Sequence, residues 1–125
     1  MIILTLSNAE VKIVASQTCK VETLSKSDIG KLFMLKKKSI EQESIIVLDS
    51  SDKEIYHRFI KEYLNKSIRK IKTYWVRMLF TGKKIAPKKL SLEELHTLDD
   101  IGICHLSYIG KEEKKPQNWK IIQIK

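Results

Sequence analysis

The side chains most often used in catalysis are few and scattered along this sequence. His57 and His105 belong to no motif, and His96 lies in an acidic stretch without the spacing of a zinc-binding HExxH helix or a catalytic triad. Asp99 and Asp100 are adjacent carboxylates without the further oxygen ligands that a cation site needs. The sequence therefore predicts a protein that is not an enzyme and has no metal and no cofactor.

The two cysteines, Cys19 and Cys104, are far apart and lack the CxxC or Cys/His spacing of a zinc site. In an oxidising compartment they would form one long-range disulfide. In a reducing compartment they would be two small buried side chains. The sequence alone leaves both states open.

Positive charge is the strongest feature of the composition. The 125 residues include 24 Lys and Arg against 15 Asp and Glu, a formal net charge of +9. The excess is concentrated between residues 66 and 89, a stretch without any acidic residue. Such a region attracts phosphate, nucleic acid or anionic polymers, although a solvated helix face carries similar charge for solubility alone. Its nine basic residues are Lys66, Arg69, Lys70, Lys72, Arg77, Lys83, Lys84, Lys88 and Lys89.

Strands interleaved with helices predict a single α/β domain, with a mixed sheet covered by helices. Val11–Ala15 is rich in β-branched residues, as expected for a strand. Ile45–Leu48 is an apolar run too short for a helix, as expected for a strand covered on both faces. We expect one sheet to contain Val11–Ala15, Ile45–Leu48, Ile103–Leu106 and Ile121–Ile124.

Capping signals predict where three of the helices begin. Ser25 precedes a short amphipathic helix, because its hydroxyl is able to accept the free amides of a helix start. Ser51 and Glu54 have the Ser-x-x-Glu form of a capping box, at the start of a helix predicted from about residue 52 to 65. Ser91 and Glu94 repeat this pattern before another short helix.

The helix predicted from Ser67 to Phe80 carries the basic face. Gly82 supplies its C-terminal stop, before a loop predicted from Lys83 to Leu90. Tyr74, Trp75 and Phe80 are able to stack on nucleic-acid bases, but their helical spacing is more typical of a core. The apolar residues that keep the 3.6-residue period are Ile68, Ile71, Trp75, Met78 and Leu79, of which Ile71 and Trp75 are expected to be buried.

The N-terminal nine residues have features of an exported protein. Ile2–Leu6 is apolar, and Ser7-Asn8-Ala9 has the small-x-small form of a signal-peptidase site before Glu10. The positively charged N-terminal region of a signal peptide is missing, so we interpret residues 1–9 as the remnant of a signal peptide. Residues 10–125 are then one periplasmic domain. A short first β-strand is the alternative. No apolar run reaches the length of about 18 residues that spans a bilayer.

Three motifs occur together in an order typical of one known family. Tyr74–Lys83 has the form YW…LFTGK, Leu24–Phe33 has the form LSKxDI…LF, and Ile101–Ile103 reads IGI. Together they resemble the small substrate-binding domains of the phosphate-ABC-transporter type, whose corresponding motifs are YW…LFTGK, LSKxDL…IFxGK and AIGY. Leu35 replaces a glycine of that family, and Asp99-Asp100 replaces its Pro-Gly.

The resemblance implies the fold of one lobe of a type II periplasmic binding protein. In that family this lobe contacts phosphate through a turn at a helix N-terminus, where free amides and the helix dipole favour an anion. Here the turn corresponds to Asp49–Lys53. Ser50 and Ser51 would donate hydroxyls, Lys53 would add charge, and Asp52 or Asp49 would accept a proton from phosphate. The alternative is that Ser51 and Glu54 only cap the helix.

Two departures from the family weaken the expected site. The arginine that the family places before this turn is replaced by Val47, and the second lobe is absent. We therefore expect weak binding of phosphate or another small anion, with a dissociation constant of about 1 mM. The predicted role is phosphate uptake or sensing, with an envelope protein as a further partner and without nucleic acid. The alternative is a basic surface module that binds a polyanion or a protein and has lost the ligand site.

Overall fold

The computed structural model describes residues 9–99 and 101–125, so the expected signal-peptide remnant lies, apart from Ala9, outside the described residues. The strands are β1 (Val11–Ser16), β2 (Thr23–Leu24), β3 (Ser39–Ile40), β4 (Glu43–Ser50), β5 (Lys88–Leu90), β6 (Cys104–Gly110), β7 (Trp119–Ile121) and β8 (Gln123–Ile124). The helices are α1 (Lys26–Phe33), α2 (Lys53–Phe59), α3 (Ile68–Phe80) and α4 (Leu92–Thr97), and a π-helical turn, Ile60–Leu64, continues α2.

Six of these strands form one mixed sheet. Its order is β3-β4-β6-β1-β7, and β5 also pairs with β4. β1 runs antiparallel to β6 and β7, whereas β4 runs parallel to β5 and β6. Val47 lies opposite Leu106, and Ile13 lies opposite Tyr108. The predicted α/β class, a mixed sheet with helices packed on it, is confirmed.

Several strand bounds differ from the prediction. Gln123–Ile124 leave the main sheet and pair in parallel with β2, so the expectation of one sheet is wrong for these two residues. The sixth strand begins at Cys104 and not at Ile103. Lys88–Leu90 forms a strand in the predicted loop, because Leu90 is buried in an apolar cluster with Leu48 and Leu95 and β4 offers a free edge there.

The first face of the sheet is covered by α1 and α2 around a cluster of aromatic rings, and Ile71 of α3 belongs to the same apolar core. Phe59 stacks on Tyr108 with ring centroids 4.0 Å apart, and Phe33 lies 4.6 Å from Phe59. Phe59 and Phe33 are both fully buried. Burial of large aromatic side chains is a major source of folding free energy, so this cluster holds α1 and α2 against β6.

Among the described residues, α4 covers the second face at one end. Leu48, Ile109 and Trp119 pack there against Leu95 of α4. The indole Nε1 of Trp119 donates a 3.0 Å hydrogen bond to the Leu95 carbonyl, which satisfies its buried N–H. Ile46, on the same strand as Leu48, remains 47% exposed. No residue within 9–99 or 101–125 fully covers this part of the second face, and we call it the open part.

A disulfide joins Cys19 to Cys104, with Cα atoms 4.7 Å apart. It connects the loop after β1 to the first residue of β6, and both sulfur-bearing residues are buried. Next to it, the Ser16 hydroxyl accepts a hydrogen bond from the His105 amide at 2.9 Å. The oxidised alternative for the two cysteines is the one found in the structure.

Candidate functional site

The turn between β4 and α2 contains the four residues proposed for anion binding, Ser50, Ser51, Asp52 and Lys53. Ser50 is buried, and its hydroxyl accepts a hydrogen bond from the Asp52 amide at 3.1 Å. Ser51 is exposed, and its amide donates to the Leu90 carbonyl of β5 at 3.0 Å. Lys53 is exposed on the first turn of α2. The structure places all four residues at the junction between the end of β4 and the start of α2.

The N-cap of α2 is Asp52, not Ser51. One Asp52 carboxylate oxygen, Oδ1, accepts the amides of Glu54 at 3.0 Å and Ile55 at 3.1 Å. The expected Ser51–Glu54 capping box is therefore wrong. The cap lies one residue later because the Ser51 amide is bonded to β5. The Asp52 carboxylate reaches the two free amides of Glu54 and Ile55 and complements the helix dipole. By contrast, the capping box of Ser91 and Glu94 and the cap by Ser25 are confirmed.

Ser51→Ala is expected to leave stability nearly unchanged, whereas Asp52→Ala is expected to lower the free energy of unfolding by about 1 kcal/mol. The reason is that the Asp52 side chain accepts hydrogen bonds from helix amides, whereas the Ser51 side chain does not cap the helix. Urea unfolding of both variants beside the wild type measures the difference. An equal destabilisation by Ser51→Ala and Asp52→Ala would contradict this assignment of the cap.

A buried carboxyl group lies beneath the turn. The Tyr108 hydroxyl donates to Asp49 Oδ1 at 2.7 Å and accepts the Ser50 amide at 3.1 Å. Burial raises the pKa of Asp49 to about 6, although the Tyr108 hydrogen bond and the charge of Lys89 act in the opposite direction. Burial and the nearby Asp49 raise the pKa of Tyr56 to about 12, and they also raise the pKa of Tyr108. These groups form a buried polar network that supports the end of β4.

The hollow beside the turn is acidic. Its volume is about 440 Å³, and Ser50, Ser51 and Asp52 contribute to its wall. Among the described residues that line it, Asp52, Glu93 and Glu113 carry carboxylates and none is basic, since Lys53 lies outside the lining. Two helix amides at this end are already bonded to Asp52. A phosphate in this hollow would meet repulsion from the carboxylates, so the geometry favours weak binding there at most.

A second candidate surface is the basic stretch of residues 66–89, which contains α3, the loop after it and the first two residues of β5, Lys88 and Lys89. We call it the basic face, and it consists of the nine basic residues named above. Eight of them are exposed and Lys84 is half-buried. Within the described part of the chain, none of the nine lies within 4.0 Å of an acidic group in an ion pair. Lys84 Nζ donates to the Tyr74 hydroxyl, and Lys89 Nζ lies over the ring of Tyr56. The charges of the other seven are therefore available to a partner.

The packing of α3 differs in part from the prediction. Ile71 is buried, as expected, and Trp75 is half-buried against the core with its ring edge-on to Tyr74. However, Phe80 is 85% exposed, so the expectation that it belongs to the core is wrong, and Leu79 is 61% exposed although it keeps the helical period. Both belong to the last turn of α3, in which no residue is buried. Sequence reasoning missed this exposed apolar surface.

An apolar groove of about 1010 Å³ runs along the open part of the second face. Its rim contains both Lys38 and Lys88 and both Glu94 and Asp99. Such a mixed rim gives no selection between anions and cations. Apolar side chains that line it include Ile46, Leu48, Leu98, Ile101 and Ile103.

No helix among the described residues has the length and apolar character needed to cross a bilayer. In the same part of the chain, no group of three or more His, Cys, Asp or Glu side chains is arranged to hold a metal ion. The chain matches no protein family model, and no curated protein is significantly similar to it in sequence. The resemblance to phosphate-binding domains therefore stays a prediction.

Proposed function

We propose that this protein is a non-catalytic binding module whose working surface is the basic face and whose partner is a polyanion. The observation that supports this most strongly is the charge of that face. It has nine cations and no acid over 24 consecutive residues, from residue 66 to residue 89, and its cations form no ion pairs with the rest of the described chain. Unneutralised charge of one sign attracts an oppositely charged polymer and raises its association rate.

The turn at Ser50–Lys53 supports a ligand role less well. Its helix amides are satisfied internally by Asp52, and carboxylates surround the adjoining hollow. Phosphate binding there remains a prediction, with the dissociation constant of about 1 mM expected for an unenclosed site. Export to the periplasm is part of the proposal. The buried disulfide supports it, because protein disulfides persist mainly in oxidising compartments.

Heparin, a soluble polyanion, is expected to bind the protein with an affinity that falls steeply as salt concentration rises. Replacing Arg69, Lys72 and Arg77 together by Gln should weaken heparin binding at least about tenfold. It should also make the dependence of log K on log salt shallower by roughly one for each cation that no longer pairs with the polymer. Fluorescence anisotropy over a salt series measures both quantities.

A matched control separates the basic face from net charge alone. Lys20, Lys114 and Lys125 are exposed lysines elsewhere on the chain that form no ion pair in the described structure. Their joint replacement by Gln changes the net charge by the same amount and should reduce heparin affinity much less. Equal reductions in the two triple variants would show that the protein binds polyanions by overall charge and not through the basic face.

A further inference from the structure

The solvent side of α3 carries an apolar patch inside the basic face. Val76, Leu79 and Phe80 are 45%, 61% and 85% exposed, and their i, i+3, i+4 spacing places them together on the helix surface. Ile85, which is 76% exposed, lines the same hollow as Leu79. We call these four residues the α3 apolar patch. A contiguous group of exposed large apolar side chains usually marks a surface that is covered in the functional state.

Basic residues surround the α3 apolar patch. Lys72 and Arg77 are one helical turn away from Val76 and Phe80, respectively, and are exposed. Lys83, Lys84 and Lys38 line the hollow that contains Leu79 and Ile85. The patch therefore combines exposed apolar side chains with cations beside them on the helix and in the adjoining hollow.

We propose that the α3 apolar patch and its surrounding bases dock onto an anionic lipid bilayer, with Phe80, Leu79 and Ile85 inserted at the interface. This inference rests on the proposed function and identifies the polyanionic partner as an anionic lipid surface. A helix surface with large apolar side chains flanked by Lys and Arg is the arrangement that binds membrane interfaces, through apolar burial together with attraction to anionic headgroups.

The composition of the surface favours a bilayer over other occupants. A soluble polymer such as heparin would pair with the lysines but would gain nothing from Leu79 and Ile85. A nucleic acid would stack on aromatic rings, and only Phe80 in the patch is aromatic. A second copy of the chain would bring its own basic residues against these, and the like charges would repel. A bilayer uses both the charges and the aliphatic side chains.

Vesicle co-sedimentation tests the proposal with the wild-type protein. Vesicles of phosphatidylcholine containing phosphatidylglycerol are expected to bind it, and vesicles of phosphatidylcholine alone are expected to bind at least about tenfold more weakly. The Phe80→Ser, Ile85→Ser double variant should bind the anionic vesicles at least about tenfold more weakly than the wild type, because it lacks two of the inserted apolar side chains. Both side chains are largely exposed, so folding should be unaffected.

Two controls make the outcome decisive. Ile124→Ser removes an exposed isoleucine away from α3 and should leave vesicle binding unchanged. Heparin binding of the double variant should equal that of the wild type, because its lysines remain. Unchanged vesicle binding of the double variant, or tighter binding of DNA than of anionic vesicles, would overturn membrane docking. Failure of the wild type to bind heparin would instead overturn the proposed function.

Discussion

Reduction of the Cys19–Cys104 disulfide is expected to lower the free energy of unfolding by about 4 kcal/mol. The two cysteines are 85 residues apart, so the bond closes a long loop and restricts the unfolded chain strongly. Both residues are buried, which also protects the bond from reductant in the folded protein. This is the largest single effect that we expect from any change to the molecule.

Urea unfolding with and without reductant measures the contribution of the disulfide. The Cys19→Ser, Cys104→Ser double variant should match the reduced wild type and should not respond to reductant. A thiol titration of the unreduced native protein should find no free thiol, since both cysteines of the sequence are bonded. Two freely titrating thiols, or an unfolding midpoint that reductant does not change, would contradict the bond.

Stability is expected to fall by about 2 kcal/mol between pH 4 and pH 7 through Asp49 alone. The folded protein raises the pKa of this carboxyl from 3.8 to about 6, chiefly by burial. The folded state therefore holds its proton more tightly than the unfolded state. The contribution to stability is complete below the unfolded pKa and is lost as pH rises through the folded pKa. Tyr108, Tyr56 and Lys89 are the titratable groups that face this carboxyl.

Asp49→Asn is expected to remove this pH dependence and to make the protein more stable than the wild type at pH 7. The amide oxygen of Asn is able to accept the Tyr108 hydrogen bond without a buried charge. Asp52→Asn is the matched control, since its carboxyl is exposed and Asn is an equally good N-cap. Urea unfolding across pH 4 to pH 7 compares the variants. A wild-type pH dependence that persists in Asp49→Asn would contradict the role of this residue.

Much of the fold follows from the sequence, because long elements have a clear period. The β-branched segment at Val11–Ala15 and the apolar run at Ile45–Leu48 lie in the predicted sheet. The strands at Thr23–Leu24, Ser39–Ile40 and Lys88–Leu90 do not follow from it, since two or three residues are too short to show alternation. In addition, β2 and β5 pair with strands that are distant in the chain.

Less of the candidate site follows from the sequence. Ser51 and Asp52 are both good N-cap residues, and only the pairing of Ser51 with Leu90 decides between them. The helical period places Leu79 near the buried side of α3, but burial also requires a neighbouring element, and the last turn of α3 leaves both Leu79 and Phe80 exposed. The basic charge of the region, by contrast, is visible directly in the composition.

The most direct test of the central claim is an amide NMR titration of the wild-type protein with a short heparin fragment. This measurement shows which part of the chain meets the anion, whatever the affinity. We expect the largest chemical-shift changes in α3 and in the following loop, over residues 66–89, and only small changes at Ser50–Lys53. Shifts confined to the turn between β4 and α2, with none on the basic face, would contradict the account.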